Sequence, residues 1–181
     1  MSGDVRRSYV VGLGANLGDR VATLKSAVLA LQAHGEVQAI SDLYETAAVG
    51  PPQPDYLNAA VRLESPLAPG QLLLALLTIE RAHGRERRER WGPRTLDLDL
   101  LYSPALLLSE PDLTLPHPEL TRRAFALTPL LDVTPSALDP HSGVRYADLL
   151  AGLGEQGLRR LETAFSWDPR PNRSLAPGRA E

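Results

Sequence analysis

The sequence predicts an α+β fold in which one antiparallel sheet is flanked by helices, and three observations carry that prediction. Apolar residues recur at helical spacing in two stretches, they alternate at strand period in others, and glycine and proline punctuate the segments between. Ser8–Gly14 is a short apolar run ending in glycine and reads as a buried first strand. Gly18–His34 places Val21, Leu24, Val28 and Leu31 at helical spacing, with Gly35 as its stop. Glu36–Thr46 reads as one further strand. Ala47–Asp55 carries Gly50, Pro51, Pro52 and Pro54 and must be a loop.

From Tyr56 strict alternation returns, with Leu57, Ala59, Val61 and Leu63 on one face and Tyr56, Asn58, Ala60 and Arg62 on the other. Pro69–His83 is a second helix, its apolar stripe formed by Leu72, Leu73, Leu76 and Ile79, and Gly84 ends it. A loop rich in arginine follows, and then Leu96, Asp97, Leu98, Asp99 and Leu100 alternate once more. The order strand, helix, strand, strand, helix, strand is the split arrangement of a ferredoxin-like βαββαβ core. Beyond Tyr102, prolines at 104, 111, 116, 118, 129 and 135 leave only short apolar pieces, a C-terminal extension in which Arg145–Leu161 supplies one or two short helices. Residues 1–165 read as a single domain and 166–181, without period and rich in Pro, Arg and Gly, as a tail.

Composition narrows the function classes. The apolar fraction of 43% and charged fraction of 23% are those of an ordinary globular protein. A net charge of −3 gives no bulk attraction to nucleic acid or anionic lipid. With no cysteine, thiolate catalysis and thiolate metal sites are excluded. The N-terminus lacks the apolar core of a signal peptide and no apolar run is long enough to span a bilayer, so a cytoplasmic protein is expected.

The chemistry concentrates in Arg90–Asp99. On a strand Asp97 and Asp99 share one face while the leucines take the other. Aspartate is a poor strand former, and two carboxylates side by side repel unless a cation sits between them. Mg²⁺ suits such a pair, because it binds one or two carboxylates and otherwise keeps water and substrate phosphates. Arg85, Arg87, Arg88, Arg90 and Arg94 stand close in sequence to the same strand. A solvated strand face is the bland alternative for an isolated Asp-x-Asp, and the arginines favour metal and phosphate binding over it. A phosphate- or RNA-binding module built on the arginine loop is the rival from another class. Tyr56 and Asn58, on the face opposite the leucines, offer an aromatic platform and a carboxamide for a flat heterocycle. Gly12-Leu13-Gly14-Ala15-Asn16-Leu17-Gly18 has the wrong spacing for a dinucleotide fingerprint and reads as a tight strand-to-helix turn, and the chain contains no P-loop motif.

Four stretches together resemble the 6-hydroxymethyl-7,8-dihydropterin pyrophosphokinase family of folate biosynthesis. They are Gly14–Asp19, Gln53–Asn58, Gly84-Arg85 running through Arg90–Leu101, and Leu115–Pro118 with Arg123-Ala124-Phe125 and Pro129-Leu130. The resemblance implies transfer of pyrophosphate from ATP to the hydroxymethyl group of the reduced pterin, with release of AMP. It implies that Asp97 and Asp99 hold two Mg²⁺ ions, and that Arg85 and Arg94 neutralise developing charge. The pterin would be bound by Thr46, Val49, Tyr56, Asn58, Trp91 and Phe125, and ATP by Glu80, Arg90, Arg94, His117 and Arg123. Arg87 and Arg88 receive no role from it. Ala15 stands where serine is commoner, and Ala126 where valine is. The expected partners are the two small-molecule substrates, with no nucleic acid and no membrane, and the chain is expected to act as a monomer.

Overall fold

The first strand, β1 (Arg7–Ala15), is hydrogen-bonded on both sides, and the sheet is built outward from it. The computed structural model describes residues 5–84, 95–104, 106–154 and 156–162. On one side β1 pairs antiparallel with β4 (Tyr56–Ser65), from Arg7↔Ser65 to Ala15↔Leu57. On the other it pairs antiparallel with β5 (Asp97–Tyr102), from Val10↔Tyr102 to Gly14↔Asp97. Beyond β4 lie β2 (Glu36–Ile40) and β3 (Tyr44–Thr46), both antiparallel to it, and β3 carries a last short strand, β8 (Arg159–Arg160). Each crossover helix, α1 (Arg20–Leu31) and α2 (Pro69–Ala82), joins two strands separated by a third. That is the split βαβ arrangement the element order predicts.

Each face of the sheet buries its own core. Leu24, Val28 and Leu31 of α1, with Leu72, Leu76 and Ile79 of α2, cover Val11, Leu13, Leu57, Leu63, Leu98 and Leu100. The opposite face lies under α3 (Ala124–Val133) and α4 (Tyr146–Leu153), which pack on Val10, Ala60, Leu101 and Tyr102. A hairpin of β6 (Leu108–Glu110) and β7 (Leu113–Leu115) precedes a 3-10 turn at Leu120–Arg122.

Three expectations change. The single strand expected over 36–46 is two, because Ser41 interrupts the ladder: its hydroxyl accepts the Ala60 N–H at 2.8 Å and donates to the Asp42 carbonyl at 2.7 Å. The helix α3 is not expected from the sequence because Pro129, a helix breaker by its chemistry, lies inside it. It forms because Ala124, Ala126, Leu127, Pro129, Leu130 and Val133 are all buried, and that burial offsets the cost of roughly 3 kcal/mol that proline imposes. Arg145–Leu161 yields the helix α4 and then the strand β8, so the second of the two short helices allowed for there is a strand. The proposed tail, 166–181, lies outside the described residues.

Gly84 ends α2 as expected, with φ at +76°. Gly35 is required for a different reason from the helix stop that its position suggests. A Cβ there would lie 2.5 Å from the Glu64 carbonyl oxygen and 3.1 Å from Leu63 Cγ, so the turn into β2 packs backbone against backbone. Gly35→Ala should therefore cost about 1–3 kcal/mol, an overpacking penalty read as a lower urea midpoint at unchanged m-value. A cost near zero would show that Gly35 is only a chain reversal.

Candidate functional site

Strand register builds the site. Gly14 of β1 lies opposite Asn58 of β4 on one side and Asp97 of β5 on the other, and two residues further along Gly12 lies between Ala60 and Asp99. Period 2 puts both rows on one face of the sheet. Gly14 leaves the floor open, since a Cβ there would sit 3.6 Å from Asn58 Oδ1, 3.7 Å from Tyr56 Cδ1 and 3.9 Å from Asp97 Cβ. Over Gly12, by contrast, the Leu101 side chain fills that place, 2.9 Å from where a Cβ would lie. Gly12 and Gly14 are thus strand residues and not a tight turn. The turn comes at Gly18, with φ at +63°, after which Asp19 caps α1 by accepting the Ala22 N–H at 3.0 Å.

Above this floor lies a cavity of about 450 Å³, a size that suits a small ligand. Thr46, Val49, Tyr56, Asn58, Asp97, Asp99, Arg123 and Phe125 line it together. Asn58 and Tyr56 are therefore not on a wet sheet face, and Asn58 is buried. Its Nδ2 donates to Thr46 Oγ1 at 2.9 Å and to the Tyr44 carbonyl at 3.4 Å, which turns Oδ1 toward the floor as an acceptor. The loop before Tyr56 is pinned to the end of β1 and to α1. Asn16 Nδ2 donates to Gln53 Oε1 at 2.9 Å and to the Pro54 carbonyl at 3.1 Å, and Arg20 donates to the Asp55 carbonyl at 2.8 Å. Phe125 enters from the first turn of α3, with the Arg123 guanidinium 5.7 Å from its ring centroid. Val49 is exposed at the mouth.

Two predicted residues lie outside this lining. The Glu80 carboxylate is buried under β5 and accepts the Leu98 N–H at 2.7 Å, between the two aspartates in sequence. His117 is half-buried, and its Nδ1 accepts the Glu119 N–H at 3.2 Å. Burial, and secondarily the Arg123 charge, lowers its pKa, against Glu119 and Asp97, so the imidazole is neutral at pH 7. Arg85, Arg90, Trp91 and Arg94 lie outside the described residues, as do Arg87 and Arg88. Sequence pattern does not place Gly12, Gly14, Glu119, Arg122 or Gln156 at a common site, and the structure brings all five to the cavity. For the glycines a signal exists, since a strand with glycines at i and i+2 leaves one face bare.

The chemistry of the donor set fits a hard divalent cation. Asp97 and Asp99 point into the cavity from one strand face, and no third acidic, imidazole or thiol ligand gathers with them among the described residues. Two carboxylates suit an ion that fills its remaining positions from water and phosphate oxygen.

Comparison with known proteins gives the same direction. Residues 10–135 match the family model described as 7,8-dihydro-6-hydroxymethylpterin-pyrophosphokinase. A 2-amino-4-hydroxy-6-hydroxymethyldihydropteridine pyrophosphokinase of Synechocystis is 47% identical over 143 residues, covering 78% of this chain and 73% of its own. Its counterpart in Pseudomonas aeruginosa is 40% identical over 163 residues, covering 88% and 99%. Among solved structures, a Plasmodium falciparum HPPK-DHPS chain superposes with a TM-score of 0.67 at 15% identity. The match covers 88% of this chain and 48% of that one, so this chain spans about half the solved chain and shares its fold.

Glu80 separates two roles experimentally. Glu80→Ala removes the acceptor of a buried N–H and should cost about 1–3 kcal/mol in thermal or urea unfolding. Glu80→Gln keeps an acceptor oxygen and should recover most of that stability. If both variants are as stable as the parent, the carboxylate does not hold β5.

Proposed function

The chain belongs to the 7,8-dihydro-6-hydroxymethylpterin-pyrophosphokinase family and is a diphosphotransferase of folate biosynthesis, and we propose that the cavity over Gly12 and Gly14 is where it transfers pyrophosphate from ATP to a reduced pterin. The observation that carries this reading is the meeting, in one cavity, of a carboxylate pair with an aromatic and carboxamide pair. The first is chemistry for phosphates, the second for a flat heterocycle.

In this reading the pterin lies between Tyr56 and Phe125, where offset stacking and burial of its faces favour binding. Asn58 Oδ1 accepts an N–H from the pterin edge, and its amide is held for that task by Thr46 and the Tyr44 carbonyl. Backbone groups near Thr46 and Val49 read the rest of that edge. The hydroxymethyl oxygen then faces the aspartates. It forms a bond to the β-phosphorus of ATP, the bond from that phosphorus to the α–β bridging oxygen breaks, AMP leaves with the bridging oxygen, and the hydroxyl proton is released to water. Asp97 and Asp99 would hold Mg²⁺, which when bound would supply positive charge to neutralise the phosphate oxygens. Little covalent work remains for the protein: it orients acceptor and donor and supplies positive charge. Arg123 contributes that charge at the mouth. His117, Glu80 and Arg90 belong to the ATP side, and Arg85 and Arg94 to charge neutralisation. The chain works as a cytoplasmic monomer with these small molecules as its partners. Among the described residues no helix is long and apolar enough to cross a membrane.

The decisive assay is release of AMP from ATP with and without 6-hydroxymethyl-7,8-dihydropterin, and with Mg²⁺ chelated. Turnover should require both pterin and metal. Asp97→Ala and Asp99→Ala should each lower kcat by at least about 100-fold while the melting temperature holds, since each removes an electrostatic contact to the reacting phosphates. Rates near the parent's would remove the metal assignment. Asn58→Ala should weaken pterin binding about 10- to 100-fold, the loss of a buried hydrogen bond and its cavity, and leave ATP affinity intact by titration calorimetry. An equal loss for both ligands would place Asn58 in the fold and not in the pocket.

A further inference from the structure

One wall of the cavity is held by a segment that the family match at 10–135 does not include. Gln156 lines the cavity although it lies near the end of the described chain. It is exposed, and its backbone is left-handed, with φ at +43°, a conformation a side-chain-bearing residue adopts only when its surroundings impose it. Gly154, two residues before it, and Gly157, the next residue, also have positive φ, +70° and +68°.

The glutamine makes two contacts there. Its Oε1 accepts the Ala124 N–H at 3.0 Å, and its Nε2 donates to the Arg122 carbonyl at 3.4 Å. Ala124 is the first residue of α3, and the residue preceding it, Arg123, supplies no side-chain cap among the described contacts. Gln156 is thus the cap of α3, delivered from 32 residues away, and Phe125 is the next residue along that helix.

The segment is anchored on its far side as well. β8 pairs with β3 through Tyr44↔Arg160 and Glu45↔Arg159, and Leu161 N donates to the Leu43 carbonyl at 2.8 Å. Arg159 pairs with Glu45 and Arg160 with Asp42. Glu45 also meets Arg20 at 2.7 Å, and Arg20 holds the Asp55 carbonyl beside Tyr56. The same strap therefore ties down both aromatic walls, Tyr56 through Glu45 and Arg20, and Phe125 through Gln156.

We infer that Gln156 is a positioning residue for pterin binding, fixing the Phe125 wall by capping α3 from a C-terminal strap. The inference rests on the cavity being the pterin site. Its test is steady-state kinetics of the full chain with Gln156→Leu, Gln156→Glu and Gln156→Gly. Gln156→Leu removes both hydrogen bonds and should raise KM for the pterin about 10-fold, with kcat within about twofold and KM for ATP unchanged, as expected for a loss of ground-state positioning. Gln156→Glu keeps the acceptor facing Ala124 N and should restore most of the pterin affinity. Gln156→Gly relieves the backbone and should show the same rise in pterin KM as Gln156→Leu without loss of melting temperature, which separates the side chain from the fold. A parental pterin KM in Gln156→Leu, equal rises for both substrates, or a Gln156→Glu enzyme as impaired as Gln156→Leu overturns the inference while leaving the site's function in place. A parent chain that releases no AMP in response to pterin overturns the reading of the site, and the inference with it.

Discussion

The pairing of Gly14 with Asn58 on one side and Asp97 on the other is the constraint on which the site depends. Side chains on neighbouring strands meet only when their register matches. A slip of one residue between β1 and β5 would send Asp97 and Asp99 into the leucine core and bring Leu98 and Leu100 into the cavity. That error is excluded by burial, because Leu96, Leu98 and Leu100 belong to the same apolar layer as α1 and α2. The hydrophobic side of β5 thus decides where its charged side points. Function on one face is specified by packing on the other.

The opposite face shows why a cavity exists where it does. At the Val10, Ala60 and Tyr102 end of the sheet, α3 and α4 cover the surface. At the other end Ala126 and Phe125 line the cavity, and Gly12 and Gly14 lie on its floor. The edge position of β5 adds a second requirement, because the N–H of Leu98 is paired off by Glu80, a side chain from the helix below. Edge strands left unpaired are adhesive, and a buried carboxylate is one way to close one.

Much of this is legible in the sequence, and the reasons differ by element. The alternation at 56–63 and 96–100 determines which residues share a face, so the pattern alone assigns Tyr56 and Asn58 to one strand face and Asp97 and Asp99 to another. What alternation does not contain is the neighbour. That Gly14 lies between Asn58 and Asp97 depends on strand order, which is set by how two crossover helices pack. The helix α3 is illegible because Pro129 carries a local signal that tertiary burial overrides. The break at Ser41 is illegible because a hydroxyl replaces a backbone partner only when Ala60 is brought within 2.8 Å by folding. Gln156 leaves no local mark at all, since its partner is 32 residues away.

These contrasts sort the site by the kind of interaction that holds it. Residues positioned by strand period are the ones whose errors the core itself punishes, and they are the carboxylates, the carboxamide and one aromatic. Phe125 and Arg123 are positioned differently, by the start of a helix that carries no side-chain cap of its own among the described contacts and borrows Gln156 from the strap. A wall built that way is coupled to distant chain. Its placement is tied through the strap to the ion pairs at Glu45 and Asp42, whereas Asp97 and Asp99 are placed by the register of β5 against β1. The Arg20 and Arg159 guanidiniums, Arg20 above all, hold the Glu45 carboxyl below the usual carboxylate range, outweighing the burial that opposes its ionisation. Its stabilising contribution is therefore complete above the ordinary carboxylate pKa and is lost only as pH falls through the depressed value. At neutral pH the ionised Glu45 holds the Tyr56 wall through Arg20, the Gln156 amide holds the Phe125 wall, and the carboxylate strand is held by its ladder with β1 and by Glu80. The heterocycle side is in this sense the adjustable half of the site, and the carboxylate strand the fixed one.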